Sequence, residues 1–275
     1  MVQRSWFITG VSSGLGRHIA ELLLERGDRV AGTVRKSADF DELKSKHGDR
    51  LWLTQLDVTH TLAVREVVNQ AFREAGKIDV VVNNAGYGLI GAAEEFSDDE
   101  IDQQIATNLV GSIQVIRAAI PHLRTQGGGR IIQISSMGGQ VSFPAASVYH
   151  ATKWGIEGFI ESIREEIGAF AISATIVEPG STNTNFGKNL TISKSLQSYS
   201  GGAVGQIRTF VGDRSYVAPG DGFKTARAIV DTVGQTPPPW RLVTGSDAYN
   251  AIHDGLTQRL AELEAQKTLA YSTDR

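Results

Sequence analysis

The chain has 275 residues, 41% of them hydrophobic, enough to bury a substantial core as one α/β domain or two small ones. Its net charge of −3 gives no reason to expect nucleic acid or an anionic membrane as a partner. The absence of cysteine excludes disulfide scaffolds, thiolate catalysis and Cys-based metal sites, and no apolar run approaches the roughly 18 residues of a membrane span. Met1 to Trp6 leads straight into a strand-like segment without a signal-peptide pattern, so a soluble cytoplasmic protein is expected.

Trp6-Phe7-Ile8-Thr9 is a short apolar strand that ends in Gly10-Val11-Ser12-Ser13-Gly14-Leu15-Gly16. Ile19, Ala20, Leu22, Leu23 and Leu24 then form the apolar face of a helix that stops at Gly27. A strand over 29–34, a helix over 38–47, a strand over 51–56, a helix over 61–75 and a strand over 78–82 follow. A long helix is predicted over 98–124, with Pro121, His122 and Leu123 marking its end, then a strand over 130–135, a helix over 147–170 and a strand over 172–178. The remainder predicts a helix near 219–234, an edge strand at 241–244 after Pro237-Pro238-Pro239, and an amphipathic segment near 255–270. Strands that are continuous apolar runs, alternating with helices, mean a parallel sheet covered on both faces. With no repeat and no low-complexity linker, a single domain spanning 1–275 is expected.

The glycine loop at 10–16 lies after the first strand and opens a helix, where the helix N-terminus suits a pyrophosphate and glycines permit close backbone approach. Taken alone, such a cluster is as readily structural punctuation, and its Gly-x-x-x-Gly-x-Gly spacing differs from the Gly-x-Gly-x-x-Gly of larger dehydrogenases. The second strand ends in Thr33-Val34-Arg35-Lys36, with no acid before Asp39, so Arg35, together with Lys36, argues for NADP over NAD, which remains possible; the bland reading is a solvated basic pair. Asp57 ends the third strand, where its carboxylate suits an adenine amine and the Val58 backbone suits the ring. Asn83-Asn84-Ala85-Gly86 ends the fourth, where paired Asn side chains tie loops together and Ala and Gly admit a ribose.

Tyr149 and Lys153 stand four apart in the helical run from Ser147, on one face, with Ser136 thirteen residues before Tyr149 at a strand end. At about 4 Å and an effective dielectric of about 20, an ammonium attracts a phenolate by roughly 4 kcal/mol before desolvation, enough to bring a phenol from about 10 toward neutrality. As an isolated pair they read as a half-buried Tyr beside a solvated Lys.

Together these motifs resemble the short-chain dehydrogenase/reductase family. The resemblance rests on Thr9-Gly10-x-x-x-Gly14-x-Gly16, Asp57, Asn83-Asn84-Ala85-Gly86, Asn108, Ser136, Tyr149-x-x-x-Lys153 and Pro179-Gly180-x-x-x-Thr184, and is close over residues 3–185. It implies a three-layer Rossmann fold with a seven-stranded parallel sheet and NAD(P)-dependent carbonyl/alcohol chemistry. It implies that Gly10, Ser12, Ser13, Gly14, Leu15 and Gly16 hold the cofactor phosphates, and that Asp57, Val58, Asn84, Ala85 and Gly86 line the adenosine side. It also implies a tetrad: Tyr149 as general acid/base, Ser136 holding the substrate oxygen, Lys153 lowering the Tyr149 pKa and binding ribose hydroxyls, and Asn108 holding a water relayed to Lys153. Pro179, Gly180, Thr182 and Thr184 are implied at the nicotinamide. His150 is expected to be structural, Glu161, Glu165 and Glu166 to form a solvated helix face, and no catalytic metal is expected.

Residues 185–218, rich in Ser, Gly, Asn and Thr, read as a lid loop. Tyr87, Val141, Phe143, Phe186 and Tyr199 are candidate pocket walls suggesting a small apolar ketone or alcohol, with no Arg or Lys cluster to specify a carboxylate or phosphate. The resemblance implies a homodimer or homotetramer through the helices at 98–124 and 147–170, with a C-terminal extension over 246–275. It leans toward hydroxysteroid-type and broad carbonyl reductases; 3-oxoacyl thioester reduction and a non-catalytic NADP sensor are the alternatives.

Overall fold

The computed structural model describes residues 3–35, 41–213 and 217–275; Lys36, Asp39 and part of the expected lid lie outside them. Strands β1 (Ser5–Thr9), β2 (Arg29–Val34), β3 (Leu51–Gln55) and β4 (Val80–Asn83) alternate with helices α1 (Gly14–Glu25), α2 (Asp41–His47) and α3 (Thr61–Ala75). After the short β5 (Leu89–Ile90) come α4 (Asp98–Ile105), α5 (Ser112–Thr125), β6 (Gly129–Ile134), α6 (Ser147–Gly168) and β7 (Ile172–Pro179). The last part holds β8 (Thr182–Asn183), α7 (Asn185–Lys188), β9 (Thr191–Ile192), α8 (Gly202–Gly212), β10 (Gly220–Asp221), α9 (Gly222–Asp231), β11 (Arg241–Thr244), α10 (Ser246–Ala265) and α11 (Lys267–Ser272).

Seven strands form one parallel sheet in the order β11-β7-β6-β4-β1-β2-β3, the architecture expected of a three-layer Rossmann fold. Successive side chains point to opposite faces. Phe7, Val81, Ile131 and Ile176 therefore pack toward α3, α5 and α6, while Trp6, Ile8, Val80, Val82 and Ile132 pack toward α1 and α9. Each such fully buried side chain contributes about 1.5–3 kcal/mol over its exposed state. Burial on both faces is why these strands read as unbroken apolar runs. The strand order reverses between β1 and β4, and the loops that follow them, with the Gly10 turn after one and Asn84 after the other, meet at this switch point.

Three expectations change. The long helix at 98–124 is interrupted by π turns over Ala106–Gly111, one extra residue per turn, and runs past Pro121 to Thr125. The lid is not a plain loop: it carries α7, β9 paired with β5, and α8. The C-terminal helix begins at Ser246, nine residues early, because Ala248 and Ile252, four apart, anchor its first turns in the core.

Candidate active site

Tyr149 and Lys153 rise from adjacent turns of α6, both buried. Lys153 Nζ donates to the Ile134 carbonyl at 3.0 Å and lies 5.6 Å from the centre of the Tyr149 ring. Burial pushes the Tyr149 phenol up to about 12, against a hydrogen bond from Ser136 that favours ionisation. Burial pushes Lys153 down to about 8, with the Glu157 charge pulling the other way. The expected lowering of Tyr149 by Lys153 is therefore not what this chain does by itself. Desolvation of a phenolate outweighs the help it receives, and the ammonium is held on a backbone carbonyl.

Ser136 extends from the end of β6, and its Oγ accepts from Gly138 N at 3.0 Å, which fixes the hydroxyl and leaves its hydrogen free to donate. Its neighbour Ser135 points the other way and donates to Glu157 Oε1. Asn108 sits within the π turns, where its Nδ2 donates to the Tyr87 carbonyl at 2.8 Å and its Oδ1 accepts from Tyr87 N at 3.1 Å. The Asn108 side chain thus clamps the Tyr87 loop, with a longer contact to Thr152 Oγ1 at 3.4 Å. Asn108 Oδ1 accepts the one bond from Tyr87 N and keeps a second lone pair.

Where the loops after β1 and β4 meet, Thr9 Oγ1 accepts from the backbone N–H of both Asn84 and Ala85, at 2.9 and 3.0 Å. Asn84 Nδ2 donates to the Thr9 and Gly10 carbonyls, and Asn83 Nδ2 reaches Ser112 O and Gln133 Oε1. Of the paired asparagines, Asn84 ties the loops together as its position suggested, whereas Asn83, still within β4, ties that strand to α5 and β6. A phosphate group fits the glycine loop on two observations. A Cβ at Gly16 would lie 2.2 Å from Gly10 O, so only glycine lets the start of α1 pack this close against the turn that follows β1. Helix α1 opens at Ser13 with no side-chain cap and no acidic residue in its first turn, leaving Gly14, Leu15 and Gly16 with N–H groups suited to an anion. Ser12 lies in the same turn.

Asp57 Oδ1 accepts from Thr59 N and Oγ1, and although burial alone would raise its carboxyl, these bonds and the His60 and Arg35 charges hold it below its ordinary value. Val58 follows, buried. Arg35 is exposed at the end of β2, its carbonyl taking Gln55 Nε2 at 2.9 Å. Gly86 faces Asn108, where a Cβ would come 3.2 Å from its Oδ1. Beyond Pro179, Gly180 N bonds Thr244 O, Ser181 N bonds Asp247 Oδ2, Thr182 Oγ1 returns to Gly180 O, and Thr184 caps α7 opposite Gly14. Every candidate residue lies at the carboxyl edge of the sheet.

The wall over Tyr149 is apolar. Ile90, Ala145 and Ala146 cluster with Tyr149, and Phe143, Leu190, Val204 and Ile207 pack against them. Phe186 stands 6.2 Å from the Tyr149 ring. Of the expected wall residues, Phe143 and Phe186 stand here, whereas Tyr199 lies beside Glu94, whose charge raises its phenol. Val141 faces Gly255 of α10, and Tyr87 meets Asn108 through its backbone. His150 is buried edge-on to Phe143 at 4.3 Å and pushed down to about 4 by burial, a neutral packing imidazole. Glu161 is not merely solvated: with Glu157 and Glu178 it binds Arg241. The reading from sequence missed Glu95, a buried carboxylate that accepts from Ala92 N, Leu196 N and Arg208 of the lid. Burial alone would raise it, but these three bonds hold its carboxyl below the ordinary value. Among the described residues no cluster of His, Cys, Asp or Glu is placed to hold a metal ion, and no helix is long and apolar enough to cross a membrane.

Comparison with known proteins gives the family and the fold. Residues 5–195 match the sequence family described as short chain dehydrogenase. Oxidoreductase BOA17 of Botryotinia fuckeliana is 37% identical over 248 residues, which cover 88% of this chain and 89% of that one. A 3-ketodihydrosphingosine reductase of Bacteroides thetaiotaomicron is 38% identical over 187 residues, covering 68% of this chain and 67% of that one. A short-chain dehydrogenase from Streptomyces avermitilis, solved as a crystal structure, superposes with a TM-score of 0.93 at 36% identity over 100% of both chains.

Proposed function

The chain belongs to the short-chain dehydrogenase/reductase family and is an NAD(P)-dependent dehydrogenase/reductase; from that premise we propose that it reduces small apolar ketones with NADPH and runs the reverse oxidation of secondary alcohols. The observation that carries the reading is the buried Tyr149 phenol between the Ser136 hydroxyl, the Lys153 ammonium and an apolar wall.

When bound, the dinucleotide supplies or accepts a hydride at its nicotinamide ring. Ser136, fixed by Gly138 N, donates its hydroxyl hydrogen to the substrate carbonyl oxygen. Tyr149, neutral at pH 7, gives its proton to that oxygen, the form a reductive general acid needs. Lys153 uses one N–H on Ile134 O and has two more for ribose hydroxyls and the phenol oxygen. Asn108 and Asn84 act at one remove, holding the Tyr87 loop and the glycine loop in place. Arg35, solvent-facing at the β2 end, supports a preference for NADP(H), with NAD(H) a usable substitute. The phenyl rings of Phe143 and Phe186 and the Ile90 side chain favour an apolar substrate, and the name of the Bacteroides relative, a keto-group reductase, supports the ketone side of the reaction.

In this reading residues 1–275 form a single domain that works in the cytoplasm, with its lid at 185–218 and C-terminal extension at 246–275. Two or four copies associate through the helical run at 98–125 and α6, where Val110 of the π turns and Trp154 of α6 stay half exposed.

The test is Tyr149→Phe assayed with a ketone panel and both dinucleotides. Carbonyl-dependent NADPH oxidation should fall about 10²- to 10⁴-fold while NADPH binding persists. Retained turnover in the variant removes Tyr149 from its role. A wild-type protein that turns over no ketone at all would favour the sensor, and tighter binding of NADH than NADPH would overturn the cofactor preference.

A further inference from the structure

The lid helix α8 lays Val204 and Ile207 against the cluster around Tyr149. Arg208 follows on the same face, one turn beyond Val204. Its side chain is only 15% exposed, and its Nη2 is held by Glu95, whose own side chain has no solvent exposure. Ala92, which also donates to Glu95 Oε2, lies two residues beyond Ile90 of the Tyr149 cluster. The guanidinium is thus pinned at the border of the apolar wall. Two of its donors, Nε and Nη1, are buried and find no hydrogen-bond partner among the described residues. Buried donors without partners are costly, and a guanidinium offers them in a fixed planar fork.

The ligand that fits them is constrained by charge. Glu95 already neutralises Arg208, and both its oxygens are engaged, Oε1 by Leu196 N and Oε2 by Ala92 N and Arg208. A carboxylate or phosphate would bring a second anion beside a cation that is already balanced in a buried place, at a desolvation cost the pair does not repay. A neutral oxygen suffers no such penalty. Building on the ketone-reductase reading above, we propose that Arg208 is a specificity-determining residue whose Nε and Nη1 bind a second, neutral acceptor oxygen of the substrate, such as an ester, amide or ketone carbonyl, set apart from the carbonyl that is reduced. The substrate is then an otherwise apolar ketone with one additional carbonyl-type oxygen, and the lid reads that oxygen.

The experiment compares methyl ketones bearing a methyl ester at increasing spacer length with plain alkyl methyl ketones of equal length, following NADPH consumption. Wild type should favour one ester-ketone over its plain partner in kcat/KM by about 10- to 100-fold, the size of one or two charge-assisted hydrogen bonds. Arg208→Lys keeps a cation for Glu95 but loses the fork, and should bring that ratio back toward one, mainly through KM. The double variant Glu95→Gln, Arg208→Met removes both charges together, so that no buried ion is stranded, and should do the same. A wild-type ratio near one, or a ratio that survives both variants, overturns the inference and leaves Arg208 as a lid fastener. If plain ketones are reduced without any ester preference, the proposed reaction stands and this inference alone falls; if no ketone is reduced with either dinucleotide, both fall together.

Discussion

Glu178 shows how a charge cluster near the candidate site makes stability depend on pH. Its side chain is buried near the carboxyl end of β7 with Glu157, and both bind Arg241. Burial, then the Glu157 charge, pushes its carboxyl up to about 7 against the pull of Arg241. Between its ordinary 4.5 and about 7, the folded chain keeps a proton that the unfolded chain has lost. The unfolded state binds fewer protons in that window, so Glu178 makes stability fall as pH rises through it. Glu178→Gln removes the titration while keeping an acceptor for Arg241. The melting temperature of the variant relative to wild type should therefore climb from pH 5 to pH 7 by a few degrees, on the order of 1 kcal/mol after allowing for solvent screening. A difference that stays constant or shrinks across that range, followed by calorimetry, refutes the assignment.

At the level of elements, the glycine loop and the β4 end form one unit. Asn84 spans them with bonds to the Thr9 and Gly10 carbonyls, and Gly16 is packed so tightly that an added Cβ would sit 2.2 Å from Gly10 O and 2.5 Å from Asn84 Nδ2. Backbone on one side and a committed amide on the other leave no cheap relaxation. Gly16→Ala should cost about 1–3 kcal/mol of stability, as overpacking does, and weaken NADPH binding at least about tenfold because the loop must move. Unchanged melting and unchanged NADPH titration would show that the loop is slacker than its geometry implies. The elements of this unit were readable in advance because their signals are local: apolar runs for β1 and β4, glycines between a strand and a helix, and paired asparagines at a strand end. The π turns at Ala106–Gly111 left no such mark, since a helix with one extra residue keeps nearly the same apolar pattern. Helix α8 was also hidden, because its wall residues Val204 and Ile207 are only partly buried and lie among glycines.

Across the whole molecule, what the sequence concealed is what distance in the chain conceals. Tyr149 and Lys153 could be paired by counting to four; Glu95 and Arg208 are 113 residues apart, and no spacing rule joins them. The burial of Tyr149, which pushes its phenol up, was hidden for a related reason, since spacing reports the neighbouring ammonium and not the burial. The C-terminal end follows the opposite logic. Helix α10 is anchored by Ala248 and Ile252, with Arg259 over the Trp154 ring at 4.9 Å and bonded to Gln140 O, whereas α11 has no buried residue. Removal of residues 267–275 should leave the melting temperature within about 1 °C and ketone turnover unaltered, as expected for exposed surface. A larger drop, or a change of mass in solution, would mean that the exposed Leu269 and Tyr271 are seated against another copy.

Among the described residues, polar contacts between the lid and the body include Glu95 on Arg208 and Leu196 N, Glu94 on Tyr199, Glu100 on Ser193, and a two-residue strand pair. None of them involves Tyr149, Ser136 or Lys153. In the proposed reading, hydride and proton transfer rest on the sheet edge and α6, while the lid adds Phe186, Leu190, Val204 and Ile207 to a wall shared with Ile90 and Phe143. On the reading proposed above, substitutions within residues 185–213 that keep Arg208 for the Glu95 carboxylate would alter substrate preference and leave the reaction intact. Inheritance of chemistry and invention of preference can proceed at different speeds in the same chain.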